Sequence, residues 1–278
     1  MRTGLLDGDE VLEVAGDDGS PDLPLLLRDD PRRQLDDIAR AARSGPRHRL
    51  GEVALDAPIR HPVTVFGIGK NYAEHAAETG SEAPSEPIVF AKLASSIAGP
   101  HDDIVLPPAA PRRVDYEAEL CVVIGLAGRG IPEARAMDHV LGYLTANDVS
   151  ARDWQSKKPG GQWTLGKSFD TFLPVGPWLV TADELPNASR ARITCRVDGE
   201  LLQDDTADHM IFGIPALVAY LSQVATLQPG DLILTGTPAG VGMGRVPPRW
   251  LQPGNVVETE VEGVGKLRNT VAAAPETR

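Results

Sequence analysis

The sequence predicts a mainly β protein of the α+β class, in which a small N-terminal α/β domain precedes a larger domain. Among its 278 residues, 28 are glycine and 24 are proline, a content typical of many short strands joined by tight turns. Segments that suit strands recur along the larger part of the chain, whereas helical patterns are few. We therefore expect a core built chiefly from sheets.

The predicted small domain covers residues 1–58. Within it, residues 5–12 have the pattern of a hairpin, and residues 31–42 carry apolar side chains at helical spacing. The boundary is placed at residue 58 because the next segment, 63–69, is a strand that ends in glycines. No cluster of catalytic residue types precedes this boundary, so we expect the function to lie in residues 59–278.

The larger domain is predicted to be rich in strands. One clear helix is expected over residues 213–225, with a proline in its first turn. Segments that suit strands by β-branched content or alternation are 88–90, 120–124, 178–181, 193–197, 231–234 and 256–261.

The charge and the apolar pattern exclude several classes of partner. Lysine and arginine number 27 against 39 aspartates and glutamates, for a net charge of −12, so nucleic acid and anionic membrane surfaces would be repelled. The N-terminus lacks the apolar core of a signal peptide, and no apolar run approaches the roughly 18 residues of a membrane span. Only Cys121 and Cys195 occur, both in apolar stretches, so a disulfide framework is not expected. We expect a cytoplasmic protein.

Two carboxylates stand two residues apart next to an apolar strand. Side chains at this spacing project from one face of a strand, so Glu117 and Glu119 would lie side by side. On a solvated face their repulsion would be screened. Beside the apolar run 120–124 it needs compensation, and a divalent cation is the simplest source.

A third carboxylate, Asp148, stands where a strand gives way to a helix. It is either an N-cap or a member of a strand-end site. Two glutamates and one aspartate form an all-oxygen ligand set that suits Mg²⁺, Mn²⁺ or Ca²⁺ and disfavours structural zinc. Arg152 and Gln155 follow on one helical face, either as exposed side chains or as groups that bind an anionic ligand.

A short helix is predicted after the strand 63–69, with Asn71 as its N-cap and Glu74 as the capping-box partner. His75 and Glu78 lie three residues apart on it, so the carboxylate can orient the imidazole and raise its basicity. A general base that activates water needs this arrangement, although a surface pair has the same spacing.

Two further segments suggest anion binding. Lys167 lies among glycines and aromatic residues, where its ammonium could stabilise an enolate or a carboxylate. Thr237 lies in a glycine-rich turn after the strand 231–234, where its hydroxyl and nearby amides can bind an anion. This turn lacks the lysine and the spacing of a phosphate loop.

In this order, five motifs of the chain resemble the fumarylacetoacetate hydrolase family over roughly residues 61–272. The motifs are Gly-x-Asn-Tyr-x-x-His-x-x-Glu at 69–78, Asp-Tyr-Glu-x-Glu at 115–119, Asn-Asp-x-Ser-Ala-Arg-Asp-x-Gln at 147–155, Gly-Lys-Ser-Phe-Asp at 166–170, and Gly-Asp-x-Ile-x-Thr-Gly-Thr-Pro-x-Gly-Val-Gly at 230–242.

The resemblance implies a mixed β-roll catalytic domain, a homodimer and a divalent cation, Mg²⁺ or Mn²⁺. It implies that the cation is held by Glu117, Glu119 and Asp148 and chelates a 2-oxo acid, with Lys167, Arg152, Gln155 and Thr237 around it. It also implies that the positions of His75 and Glu78 lie on a lid helix and activate water.

The expected activity is hydrolysis of a carbon–carbon bond in a 2,4-dioxo acid through a metal-bound enolate. The same electron sink would serve an isomerase or a decarboxylase of 2-hydroxy-dienoates or β-carboxy-2-oxo acids, and a protein that binds an oxo acid without turnover is the alternative of another class. Residues 160–167 and 176–181 are most similar to the branch named ureidoglycolate lyase, which includes hydrolases of 2,4-dioxo-3-deoxy sugar acids. The chain departs from the family at Leu93, where a proline is common, so no role is carried over to Lys92.

Overall fold

The structure, a computed structural model, describes residues 2–14, 31–110 and 112–274. Its N-terminal part contains a three-stranded antiparallel sheet in the order β1-β2-β3 and a helix. The predicted hairpin and helix are both present. The elements are β1 (Gly4–Asp7), β2 (Glu10–Glu13), α1 (Pro31–Ala42) and β3 (Arg47–Arg49).

The rest of the chain is dominated by strands, as expected. The strands are β4 (Val65–Gly69), β5 (Ile88–Lys92), β6 (Ile97–Ala98), β7 (Ile104–Leu106), β8 (Val114–Asp115), β9 (Ala118–Ile124), β10 (Val140–Asn147), β11 (Ser150–Ala151), β12 (Leu173–Thr181), β13 (Arg192–Val197), β14 (Glu200–Thr206), β15 (Leu232–Leu234), β16 (Val256–Val261) and β17 (Gly265–Ala273). The helices are α2 (Ala73–Glu78), α3 (Arg152–Lys157), α4 (Trp163–Lys167) and α5 (Ile214–Val224).

Two mixed sheets form the body of the protein. The larger has seven strands in the order β5-β4-β15-β9-β10-β12-β6, and the smaller has five in the order β14-β13-β16-β17-β7. Most neighbours are antiparallel, but β15 runs parallel to β4, β12 to β6, and β17 to β7. A two-stranded pair, β8 and β11, lies beside them. The predicted fold class, α+β and mainly β, is confirmed.

The central strand β9 is buried on both faces, which explains its continuous apolar sequence. Leu120 and Val122 belong to a large core that also takes in side chains of the smaller sheet. Cys121 and Val123 point the other way, into a second core against which Leu35 of α1 packs. Because both faces are covered, a polar side chain on β9 is forced into a buried environment.

The cysteines, the absence of a predicted membrane span and the domain boundary are the remaining sequence expectations. Cys121 and Cys195 are both buried and free, as predicted. No helix among the described residues is long and apolar enough to cross a membrane. The boundary at residue 58 stays a prediction.

Candidate metal centre and active site

The three predicted ligand carboxylates come together at one end of the β9–β10 pair. Glu119 lies on β9 opposite Ala146 of β10, Glu117 immediately precedes β9, and Asp148 immediately follows β10. All three residues are buried, and one carboxylate oxygen from each lies within 4.8 Å of the others. The strand period and the antiparallel register therefore suffice to gather them.

Two of these carboxylates are neutralised by Lys167 at the end of α4. Its ammonium donates to Glu117 Oε2 at 2.8 Å, to Asp148 Oδ2 at 2.5 Å and to Ser150 Oγ at 2.9 Å. Burial acts to raise the pKa of Glu117, but the Lys167 and Arg152 cations outweigh burial and hold this pKa below its usual range. The three donors of Lys167 are thus all used inside the protein.

Glu119 forms no ion pair with a cation among the described residues, although Lys167 is close enough to act weakly on its pKa. Its carboxylate accepts a hydrogen bond from the Gly236 amide at 2.7 Å. Burial, and then the nearby carboxylates of Asp148 and Glu117, raise the pKa of Glu119 well above its usual range. An uncompensated buried carboxylate within an all-oxygen set fits a divalent cation such as Mg²⁺ or Mn²⁺ and gives no reason for zinc.

Lys92, to which the sequence assigned no role, contacts the site directly. Its side chain is fully buried and its ammonium donates to Asp148 Oδ1 at 2.7 Å and to the Phe172 carbonyl at 2.9 Å. Burial lowers the pKa of Lys92, and Asp148 opposes this effect. Lys92 therefore fixes the orientation of the Asp148 carboxylate from the side opposite Lys167.

Substitution of Lys92 with methionine is expected to lower the free energy of unfolding of the metal-free protein by about 3–5 kcal/mol, because it leaves Asp148 without one buried cation. Chemical denaturation measures this change. The matched control is Lys266→Met, which removes a half-exposed pair with Glu260 and should cost less than about 1 kcal/mol. Equal losses in the two variants would contradict the role of Lys92.

The predicted dyad is formed on α2. His75 Nδ1 lies 2.8 Å from Glu78 Oε1, and Glu78 Oε2 accepts from the Gly240 amide at 2.9 Å. His75 is buried and close enough to Glu117 for its charge to act on the pKa of that carboxylate. The pair thus borders the carboxylate cluster instead of standing in solvent.

The predicted N-cap of α2 is wrong. Tyr72 occupies the cap position, and no side-chain hydrogen bond caps the helix. The Asn71 amide instead donates to the carbonyls of Thr235 and Phe212 at 2.7 and 3.0 Å, and its oxygen accepts from the Phe212 amide at 2.8 Å. Three long-range bonds to buried backbone outweigh one local cap, and they fix the start of α2 to the core.

Asn71→Ala is expected to lower the free energy of unfolding by about 2–4 kcal/mol, because it leaves three backbone groups without partners. Denaturant titration measures the loss. Asn187→Ala, at an exposed asparagine without a side-chain cap bond, should change stability by less than about 0.5 kcal/mol. If Asn71→Ala lowers the free energy of unfolding by less than about 1 kcal/mol, which is the effect expected of a helix cap, the anchoring role is contradicted.

Arg152 faces the same cluster from α3, and Gln155 is buried beside it. Arg152 NH1 lies 2.7 Å from Glu117 Oε1 and donates to Gln155 Oε1 at 3.0 Å. Nε donates to Asp115 Oδ2 at 2.8 Å, and NH2 lies 2.8 Å from the same oxygen without being aligned to donate to it. Arg152 therefore retains a buried donor that no protein group satisfies, which suits an anionic ligand.

Thr237 is buried, but its hydroxyl is used inside the protein. It donates to the Ala118 carbonyl at 2.8 Å and accepts from Gln203 Nε2 at 2.8 Å. Its predicted role in substrate binding stays a prediction. Asp115, in the same motif as Glu117, was not predicted as a site residue, and only its place in that motif pointed to it.

Comparison with known proteins supports the fold and the kind of chemistry. The family model described as fumarylacetoacetate (FAA) hydrolase, C-terminal, matches residues 64–272. The mitochondrial oxaloacetate tautomerase of Xenopus laevis is 45% identical over 271 residues, covering 96% of this chain and 84% of the relative.

Two solved structures are similar along most of the chain. The 5-carboxymethyl-2-hydroxymuconate delta-isomerase from Mycobacterium smegmatis is 42% identical with a TM-score of 0.74, over 84% of this chain and 87% of the other. Maleylpyruvate hydrolase from Sphingobium sp. SYK-6, in complex with manganese (II) ion and pyruvate, is 30% identical with a TM-score of 0.83, over 99% of this chain and 97% of the other. Membership of the ureidoglycolate lyase branch stays a prediction.

Proposed function

The chain belongs to the fumarylacetoacetate hydrolase family and is an enzyme of that family. On this premise we propose that it interconverts the keto and enol forms of a 2-oxo dicarboxylic acid of the oxaloacetate kind. The observation that carries the proposal is a base, His75, held beside the carboxylate cluster. The 45% identity to an oxaloacetate tautomerase favours this reaction among those of the family.

Glu117, Glu119 and Asp148 would hold Mg²⁺ or Mn²⁺. When bound, the cation supplies Lewis acidity that polarises the 2-oxo group and stabilises negative charge on its oxygen. The unsatisfied NH2 of Arg152 then pairs with the carboxylate of the 2-oxo acid.

His75 moves the proton. An ionised Glu78 only accepts hydrogen bonds, so His75 Nδ1 carries the ring proton and Nε2 is left free to act as a base. In the forward direction His75 Nε2 takes the proton from the carbon next to the ketone, and the imidazolium so formed returns a proton to the ketone oxygen, which completes the enol and restores neutral His75. Glu78 stabilises the imidazolium meanwhile, and the Gly240 amide keeps Glu78 in place.

The test follows the ultraviolet absorbance of enol-oxaloacetate with and without Mg²⁺. We expect the protein to accelerate equilibration in a Mg²⁺-dependent manner, without loss of total oxaloacetate. Consumption of oxaloacetate would indicate decarboxylation instead, and absence of any acceleration would reject the proposal.

Hydrolysis of a carbon–carbon bond in a 2,4-dioxo acid is the second candidate. The partly buried His75–Glu78 pair favours it, because such a pair can activate water as well as take a proton from carbon. The similarity to maleylpyruvate hydrolase points the same way. Release of pyruvate from acylpyruvates, coupled to NADH oxidation by lactate dehydrogenase, measures this activity directly. A homodimer and a cytoplasmic location are also proposed, and light scattering of the purified protein measures the first.

A further inference from the structure

A glycine-rich turn, residues 240–244, lies between two carboxylates of the site. Asp115 reaches it from one side and Glu78 from the other. The turn leaves no space for side chains at any of its three glycines, and an added Cβ at Gly240 would lie 2.0 Å from the Leu202 carbonyl oxygen. An added Cβ at Gly242 would lie 1.9 Å from the Arg249 carbonyl oxygen, and one at Gly244 would lie 2.6 Å from Glu78 Oε2. A segment packed this closely moves as a unit when either neighbour moves.

Asp115 is fully buried and accepts hydrogen bonds from three parts of the chain. Oδ1 accepts from the Gly242 amide at 2.7 Å and from the Tyr116 amide at 2.9 Å. Oδ2 accepts from the Met243 amide at 3.0 Å and from Arg152 Nε at 2.8 Å. One carboxylate thus joins its own strand to the turn and to the arginine that faces the metal ligands.

Glu78 holds the opposite side of the turn. Its Oε2 accepts from Gly240, while Oε1 faces His75. A continuous set of bonded groups therefore runs from Arg152 through Asp115 and the turn to Glu78.

We propose that Asp115 is a positioning residue that holds Arg152 and the turn 240–244 in one arrangement, so that the anion-binding arginine and the His75–Glu78 base are fixed relative to each other. This inference rests on the proposed function, which assigns those two roles. Asp115 itself touches no reacting atom. Its effect passes through the groups to which it is bonded.

The chemistry requires a carboxylate and not merely a polar side chain. Each hydrogen bond of Asp115 is accepted from an N–H donor. Asparagine at this position would have to turn its own N–H₂ group toward donors on one side, either the Gly242 amide or Arg152 Nε. Asp115→Asn therefore keeps the volume of the side chain but loses the hydrogen bonds either to the turn or to Arg152.

The experiment compares Asp115→Asn with Asp231→Asn. Asp231 is an equally buried aspartate that accepts two backbone amides, Thr64 at 2.9 Å and Gln228 at 2.8 Å, away from the site. The measurements are the melting temperature, Mn²⁺ affinity from the paramagnetic signal of the free ion, oxalate affinity of the Mn²⁺-loaded protein, and kcat and KM for oxaloacetate.

We expect both variants to lose thermal stability and to retain Mn²⁺ binding. Asp115→Asn alone should bind oxalate about 10–100-fold more weakly and show a lower kcat as well as a higher KM. If the two variants are equal in oxalate affinity and in kcat, the inference is overturned. If the wild type itself neither binds oxalate nor acts on oxaloacetate, it is the proposed function that fails.

Gly244→Ala tests whether a change on the Glu78 side of the turn reaches Arg152. It also provides a second variant if Asp115→Asn does not fold. The three atoms nearest to the added methyl group all belong to the Glu78 side chain. Under the proposal this variant also weakens oxalate binding, because the displaced turn moves Asp115 and with it Arg152. A lower kcat with unchanged oxalate affinity would show that the turn does not connect the two groups.

Discussion

Replacing Glu119 with glutamine is expected to abolish binding of Mg²⁺ and Mn²⁺, and with it activity, without destabilising the metal-free protein. Of the three proposed ligands, Glu119 forms no ion pair with a lysine or arginine of the described chain, and burial beside Asp148 and Glu117 raises its pKa. Glutamine keeps an acceptor oxygen for the Gly236 amide and removes the uncompensated charge. Stability and metal affinity should therefore change in opposite directions.

The loss of metal affinity should exceed about 100-fold, since even the partners that only orient a ligand are worth about 10–100-fold. Free Mn²⁺ is measured by its paramagnetic signal, and stability by thermal melts with and without the ion. The control Glu260→Gln removes an exposed carboxylate on β16 and should leave Mn²⁺ binding unchanged. Wild-type Mn²⁺ affinity in Glu119→Gln would place the metal elsewhere.

Replacing His75 with alanine is expected to lower kcat by about 10²–10⁴-fold while Mn²⁺ and oxalate still bind, because a positioned base contributes this much to proton transfer. Glu78→Gln should lower kcat less, since the imidazole remains and loses only its charged partner. Steady-state kinetics on oxaloacetate and on an acylpyruvate, run in parallel, measure both effects.

The two substrates separate the candidate reactions. A tautomerase loses enol equilibration in His75→Ala, and a hydrolase loses pyruvate release. Full activity of His75→Ala on both substrates would exclude His75 as the base. The exposed pair of His209 and Asp205 provides a control, since His209→Ala removes a histidine–carboxylate pair that lies on the surface.

Local sequence patterns predicted the elements well and the sheet order not at all. The hairpin of β1 and β2, the helix α1 and most strands follow from period and turn residues, which act over a few positions. The insertion of β15 between β4 and β9 depends on pairing between segments more than 100 residues apart, and no local pattern encodes it.

The same distinction, between neighbours set by a local period and partners remote in sequence, applies to the site. Glu117 and Glu119 share a face because of the strand period, and His75 and Glu78 meet because of the helical period. Lys92 received no role because Leu93 follows it in place of the proline common in the family, and no local pattern reveals its partner Asp148, which is 56 positions away.

Asn71 was misinterpreted for a related reason. An asparagine before a helix favours a cap, and the backbone groups that it binds instead lie about 140 to 164 positions later in the chain. Asp115 likewise finds its partners on the distant turn and on α3. Residues whose partners are remote in sequence are those that the pattern alone could not assign.

The three carboxylates proposed to hold the cation lie at one end of a single strand pair, β9 and β10, whereas the proposed base and the proposed anion-binding arginine lie on α2 and α3. The proposed cation site is thus encoded in one contiguous stretch of about thirty residues, 117–148. The groups proposed to move the proton and to bind the anion, His75 and Arg152, lie outside this stretch. Substitutions on α2 and α3 should therefore lower turnover while the cation still binds, whereas substitutions of Glu117, Glu119 or Asp148 should remove both.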